Sequence, residues 1–220
     1  MLVGVIPALN EQETIGEVVS GLAEYTDAVI VVDDGSGDST ARLARDAGAI
    51  VHMHRQTEGY DQSVQDGLLK AIELGATTIV TFDADGQHRP EDVVRMEATM
   101  HDRDLDIVVG ARGRLTRATE KLFGLYAQLV IGVEDPLCGL KMYRGDVYHG
   151  IGHVDVHRTI GTHLMFAAYF RGYSVGEVDI ETTLRNDRSR FGRRIVAEAK
   201  ILRAFILRIS EDLIFKLRAR

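Results

Sequence analysis

Two aspartates separated by one alanine, Asp83 and Asp85, follow the apolar run Thr78-Ile79-Val80-Thr81-Phe82 and precede Gly86, Gln87 and His88. Alternate side chains of an extended strand point the same way, so two carboxylates at this spacing can converge at a strand end. Their hard oxygens suit a divalent cation, and such a cation could hold a diphosphate. Taken alone, Asp-x-Asp before a glycine is also ordinary turn chemistry, and His88 is expected to be an exposed turn residue. Three further stretches, at 5–11, 30–40 and 135–144, bear on the choice.

The elements that must position these groups read as repeated strand-helix units. An apolar run from Leu2 to Ile6 is a buried strand that Pro7, lacking a donor, is expected to end. Asn10 is suited to cap the helix carrying Ile15, Val18, Val19 and Leu22. A second run, Ala28-Val29-Ile30-Val31-Val32, leads into Asp33-Asp34-Gly35-Ser36-Gly37-Asp38-Ser39-Thr40, the kind of acidic, glycine-rich strand end that frames a ligand crevice in doubly wound sheets. A third strand around 49–54 precedes a helix at 61–74, and Pro90 is placed to open the helix after the aspartate pair. Another strand, at 105–109, runs into Gly110-Ala111-Arg112. The alternation predicts an α/β fold with a mostly parallel sheet and helices on both faces. Beyond Arg112 the pattern predicts a helix at 116–131, a loop and short strand at 134–144, a helix at 161–171 and a strand at 173–180.

Four motifs occur in the order Pro7-Ala8-Leu9-Asn10-Glu11, Asp33-Asp34-Gly35-Ser36-x-Asp38-x-Thr40, Asp83-Ala84-Asp85-x-Gln87-His88 and Asp135-Pro136-x-x-Gly139. In this order they resemble family 2 glycosyltransferases, in the branch that glycosylates dolichyl or other polyprenyl phosphates. The resemblance covers about residues 1–192 and implies the GT-A fold and an inverting transfer of a hexose from a GDP- or UDP-sugar to a polyprenyl phosphate. It implies that Pro7, Ala8, Asn10, Glu11 and Asp34 line the nucleotide pocket, with Asp34 accepting from the base. Asp83, Ala84, Asp85 and Gln87 match the stretch that holds Mg²⁺ or Mn²⁺ with the donor diphosphate, Asp83 and Asp85 being the metal ligands. Arg112, Arg185 and Arg190 match cations near the accepting or leaving phosphate, and Asp135 is the candidate base if the acceptor is a sugar hydroxyl. Departures from the pattern fall at Thr57-Glu58-Gly59-Tyr60-Asp61-Gln62-Ser63, at Cys138-Gly139-Leu140, at His163 and at Asp179.

Composition narrows the alternatives. A chain of 220 residues, 45% hydrophobic, supports one catalytic domain at 1–191 and a helical tail at 192–220. No apolar run approaches the ~18 residues of a membrane span, and the start lacks a basic secretory segment, so a cytoplasmic enzyme, peripheral on the cytoplasmic membrane face, is expected. The lone cysteine, Cys138, reads as a small buried residue. Residues 185–220 carry eleven Lys or Arg against four Asp or Glu, on a net charge of -7 for the whole chain. An acidic body argues against nucleic acid as a partner, and the basic tail points to an anionic surface. Ile195, Ala199, Leu202, Ile206, Ile209 and Leu213 form the apolar stripe expected to dock on a membrane surface or on a second copy of the chain in a homo-oligomer. A phosphatase would place its Asp-x-Asp on an early strand with threonine following, whereas Gly86 and Gln87 follow here. The rival readings are a hydroxyl-acceptor transferase and a non-catalytic nucleotide-sugar-binding scaffold.

Overall fold

β-branched runs make the strands and helical-spaced aliphatics make the helices between them. The elements run β1 (Leu2–Ala8), α1 (Ile15–Ala23), β2 (Ala28–Asp33), α2 (Thr40–Asp46), β3 (Ile50–Met53), α3 (Tyr60–Glu73), β4 (Thr78–Thr81), α4 (Asp92–Asp102) and β5 (Ile107–Ala111). Then follow α5 (Ala118–Ile131), β6 (Lys141–Arg144), α6 (Gly145–Ile151), α7 (His163–Tyr169), β7 (Val175–Asp179) and α8 (Arg194–Arg218). The computed structural model describes residues 1–113, 115–152, 159, 161–182 and 194–218, with the backbone alone at 194–197 and 211–218.

Seven strands form one sheet in the order β3-β2-β1-β4-β6-β5-β7. Every pairing is parallel except those of β6, which runs antiparallel to both β4 and β5. Sequence order reverses between β1 and β4, and the crevice beyond the carboxyl ends of such strands is where open α/β sheets bind ligands. Helices cover both faces: a side chain at Gly4 would meet Leu22 of α1, whereas Gly67 of α3 lies against Val5, the next residue of the same strand.

Two local expectations fail for physical reasons. Pro7 does not end β1, which continues to Ala8 opposite Asp33. The Val5 carbonyl accepts from Phe82 on the β4 side, and residues of like parity face that way, so the proline nitrogen points where pairing with β4 has already stopped at Val5. Pro90 does not open α4, which starts at Asp92, but its carbonyl accepts the Val93 N–H in the preceding turn.

In α8 the packed face is Ile201, Ala204, Phe205 and Arg208, while Leu202 and Ile206 from the expected stripe stay exposed. Phe205 meets Phe123 and Tyr126 of α5, and the Arg208 guanidinium lies 5.1 Å from the Phe166 ring centre. No helix among the described residues is long and apolar enough to cross a membrane.

A methyl group at Gly67 would overlap Val5 and lie 3.3 Å from Val32. Overpacking of this kind costs about 1–3 kcal/mol, more than the ~1 kcal/mol that alanine gains over glycine in a helix. Gly67→Ala is expected to lower the urea midpoint.

Candidate active site

The β1-α1 loop is closed by side chains accepting or donating across to the β2-α2 loop. The Asn10 N–H donates to Ser36 Oγ at 2.9 Å, and Asn10 Oδ1 accepts the Gly37 N–H at 2.9 Å. Asn10 therefore caps no helix. It sits in the left-handed region at φ 53°, and the residue at the start of α1 is Thr14. Glu11 is buried, its N–H donating to Thr40 Oγ1 at 2.8 Å. The Thr14 hydroxyl donates to the Ala84 carbonyl at 2.7 Å, tying this loop to the aspartate turn. Pro7 and Ala8 at the end of β1 and Asn10, Glu11 and Asp34 on the loops beyond thus meet at one sheet end; the Ala8 carbonyl itself accepts the Asp34 N–H at 2.8 Å.

Asp34 is buried and organises the loop before α3. Its Oδ1 accepts the Glu58 N–H at 2.7 Å and its Oδ2 the Gly59 N–H at 2.9 Å. Its Oδ1 also lies 2.8 Å from His54 Nδ1, and His54 Nε2 lies 2.9 Å from Asp66 Oδ2. Burial works against the imidazolium, but hydrogen bonds to Asp34 and Asp66 outweigh it and raise the His54 pKa above its ordinary value. His54 and Asp66 escaped the sequence reading because they are twelve residues apart on a strand end and a helix. The departure at Asp61 also has a role: its Oδ1 accepts the Gly161 N–H at 2.6 Å.

The aspartate pair lies beyond β4, which ends at Thr81, so strand alternation does not align the two side chains. Asp85 Oδ1 accepts the Gln87 N–H at 3.1 Å. Among the described residues Asp83 makes long contacts, 3.4 Å to the Tyr60 hydroxyl and 3.3 Å to His88 Nε2. His88 is buried rather than exposed, packed edge-on against Phe82, with Nδ1 lacking a hydrogen-bond partner among the described residues. Burial would raise the Asp83 pKa, but His88, Lys141 and Arg112 together hold it below its ordinary value, so the carboxylate is ionised at neutral pH.

Opposite stands β6. The Thr81 hydroxyl donates to the Gly139 carbonyl at 2.7 Å, and a Cβ at 139 would overlap the Asp83 carboxylate. Lys141, which the sequence reading missed, is buried with its ammonium donating to the Cys138 carbonyl. Desolvation lowers its pKa against the pull of the surrounding acids. Cys138 is buried as expected, and burial pushes its thiol up to about 12. Arg112 grips Asp135 with a fork: Nε to Oδ2 at 2.6 Å, a terminal nitrogen to Oδ1 at 2.8 Å, and the Arg112 backbone N–H to Oδ2 at 3.3 Å. Arg185 and Arg190 lie outside the described residues.

Residues 5–129 match the model of Glycosyl transferase family 2. The chain belongs to that family. It is 29% identical to a dolichyl-phosphate hexose transferase of Haloferax volcanii over 80% of each chain. A UDP-N-acetylglucosamine--dolichyl-phosphate N-acetylglucosaminyltransferase of Methanococcus voltae is 36% identical over 49% of this chain and 50% of its own. Glucosyl-3-phosphoglycerate synthase from Mycobacterium tuberculosis, solved with Mn²⁺, UDP and glucosyl-3-phosphoglycerate, superposes with a TM-score of 0.74 at 18% identity, over 94% of this chain and 79% of that one. The family 2 enzyme therefore has the GT-A fold that its motifs imply.

The residues present fit a hard divalent ion. Asp83 is ionised, has among the described residues only long contacts to its oxygens, and faces a backbone cradle at Gly139 that any side chain would fill. Gly139→Ala is expected to displace Asp83 and cut turnover by about a hundredfold or more, as ångström-scale misplacement does. Steady-state kinetics would measure it, with a circular-dichroism melt showing that the variant still folds cooperatively.

Proposed function

We propose that this family 2 enzyme transfers a hexose from GDP- or UDP-hexose to a polyprenyl phosphate with inversion at the anomeric carbon. The observation that carries the acceptor class is the engagement of Asp135. Three N–H donors and a guanidinium charge occupy its two oxygens, so the carboxylate placed to act as a base is committed to Arg112. A sugar hydroxyl needs a base to leave as a nucleophile. A lipid phosphate arrives already ionised near neutral pH and needs only to be held in line behind the anomeric carbon.

On the donor side, Asp34 keeps one Oδ2 lone pair beyond the Gly59 N–H, suited to an N–H of the nucleotide base. Asp83 and Asp85 would hold Mg²⁺ or Mn²⁺, which when bound offsets the charge of the departing diphosphate. Lys141 and Arg112 put positive charge beside Asp83, and Arg185 and Arg190 are assigned to the acceptor phosphate from their motif positions. The enzyme would work peripherally on the cytoplasmic membrane face. Exposed Leu122, Leu125 and Leu129 share one face of α5, and exposed Leu202 and Ile206 on the adjoining α8 lie near exposed Lys200 and Arg203, a composition suited to anionic headgroups.

Radiolabelled GDP- and UDP-hexoses, offered with dolichyl phosphate or with a free sugar, test this reading. Label is expected in the organic phase with the lipid phosphate alone, and EDTA should abolish it. Transfer to the free sugar only, or transfer undiminished in chelator, would overturn it. A second prediction follows from the fork. Removing Arg112, itself 30% exposed, strands the buried Asp135 carboxylate, at a cost below the ~3–5 kcal/mol of a fully buried pair. Arg112→Ala should therefore lose more stability in urea than the Arg112→Ala/Asp135→Asn double variant, and should slow transfer more than donor hydrolysis.

A further inference from the structure

We infer that His52, His54 and Asp66 form a second metal site, separate from Asp83 and Asp85 and suited to Zn²⁺. One ligand atom from each of the three lies within 4.8 Å of the other two. His52 lies on β3 at the edge of the sheet, and His54 follows one residue beyond its end, held beside β2 by its N–H donating to the Asp33 carbonyl at 2.9 Å. The two ring centroids are 5.5 Å apart with the planes nearly perpendicular. Asp66 reaches the same point from α3, its Oδ2 2.9 Å from His54 Nε2.

Ligand atoms of a tetrahedral zinc ion stand about 3.3 Å apart at bond lengths near 2.0–2.1 Å. The His54–Asp66 contact at 2.9 Å needs only a small opening, and the His52 nitrogen, within 4.8 Å of both, must move in by at most about 1.5 Å. Two imidazoles and one carboxylate with a fourth position for water is a donor set that prefers Zn²⁺ to Mg²⁺.

The surroundings are built as ligand supports are built. A metal-bound histidine usually gives its other N–H to a carboxylate, and His54 Nδ1 lies 2.8 Å from Asp34. Asp66 is oriented in turn by Gln62, whose amide donates to Oδ1 at 2.9 Å and leaves Oδ2 for the ion. His54 is buried while His52 and Asp66 are half-buried, so an ion has a path in from solvent. The metal-free chain bridges His54 and Asp66 with a proton, and the ion would take its place. Bound there, it would stiffen the His54–Asp34 contact and with it the Glu58-Gly59 turn.

Full-length protein, stripped with chelator and dialysed, would be loaded with Co²⁺ or Zn²⁺ alone. The Asp83→Asn/Asp85→Asn variant is expected to keep one tightly bound Zn²⁺ per chain and, with Co²⁺, to show the strong visible absorption of a four-coordinate, nitrogen-ligated ion. In that background His52→Ala and Asp66→Asn should each weaken Zn²⁺ binding at least tenfold while the far-ultraviolet dichroism is unchanged. Zn²⁺ should also raise the melting temperature of the parent but not of the His52→Ala variant. Absence of the four-coordinate spectrum, or affinities unchanged within twofold in both substitutions, would overturn the site. None of these readings depends on turnover, so they stand or fall apart from the proposed transfer reaction.

Discussion

The close approach of the Gly139 backbone to the Asp83 carboxylate is the constraint on which the site depends. It requires the chain after α5 to come back into the middle of the sheet, and β6 does so antiparallel to its neighbours, lodged between β4 and β5. In that direction its first residue, Lys141, stands opposite Thr81, the last residue of β4. A parallel strand at the same place would arrive at the opposite end and present its charged start away from the crevice. The antiparallel insertion therefore puts Asp135, Cys138 and Lys141 beside the aspartates with only the short stretch from α5 to span.

The donor half is held by different means. Its loops are stitched to one another by polar side chains on backbone groups: Thr14 on Ala84, Thr40 on Glu11, Asn10 on Gly37, and Asp34 on Glu58 and Gly59. Each bond stabilises by only about 0.5–1.5 kcal/mol, but losing one partner leaves a buried polar group unpaired at higher cost. A residue such as Asp34 thus serves the fold through the same carboxylate that would meet the nucleotide. Substituting it would disturb two loops before any ligand arrived, and its activity effect could not be assigned to base recognition alone.

Much of this was legible in the sequence because local patterns encode it. The alternation of apolar runs and helical spacing placed the first five strands, and the Asp83-Ala84-Asp85 turn lies at the sheet end where the motifs put it. What the sequence did not disclose depends on contacts between distant residues. Pro7 continues a central strand because β4 stops short of it, and His88 is buried where it packs on Phe82, reaches Asp83 and bridges to Thr182. Arg112 and Asp135 could be assigned separate roles from their motifs, yet the chain folds back over a separation of 23 positions to make them partners. The same holds for His54 and Asp66, whose types and positions match no local pattern.

The basic C-terminal helix shows how one amphipathic sequence satisfies two surfaces. Its four-three spacing admits two adjacent stripes, and the structure uses Ile201, Ala204 and Phe205 for the body, leaving Leu202 and Ile206 outside. The inner stripe is aromatic where it meets α5 and α7, and aromatic burial is the larger energy per residue, so packing selects Phe205 over the smaller aliphatics. Arg208 joins that face without a cost in lost packing because its guanidinium lies over Phe166, which favours a cation at its ring face. The outer stripe then stays exposed among the described residues. Removing the whole helix would bare Phe123, Tyr126 and Phe166, whereas changing Leu202 and Ile206 alone leaves that aromatic contact intact, and only the second kind of change isolates what the outer face does.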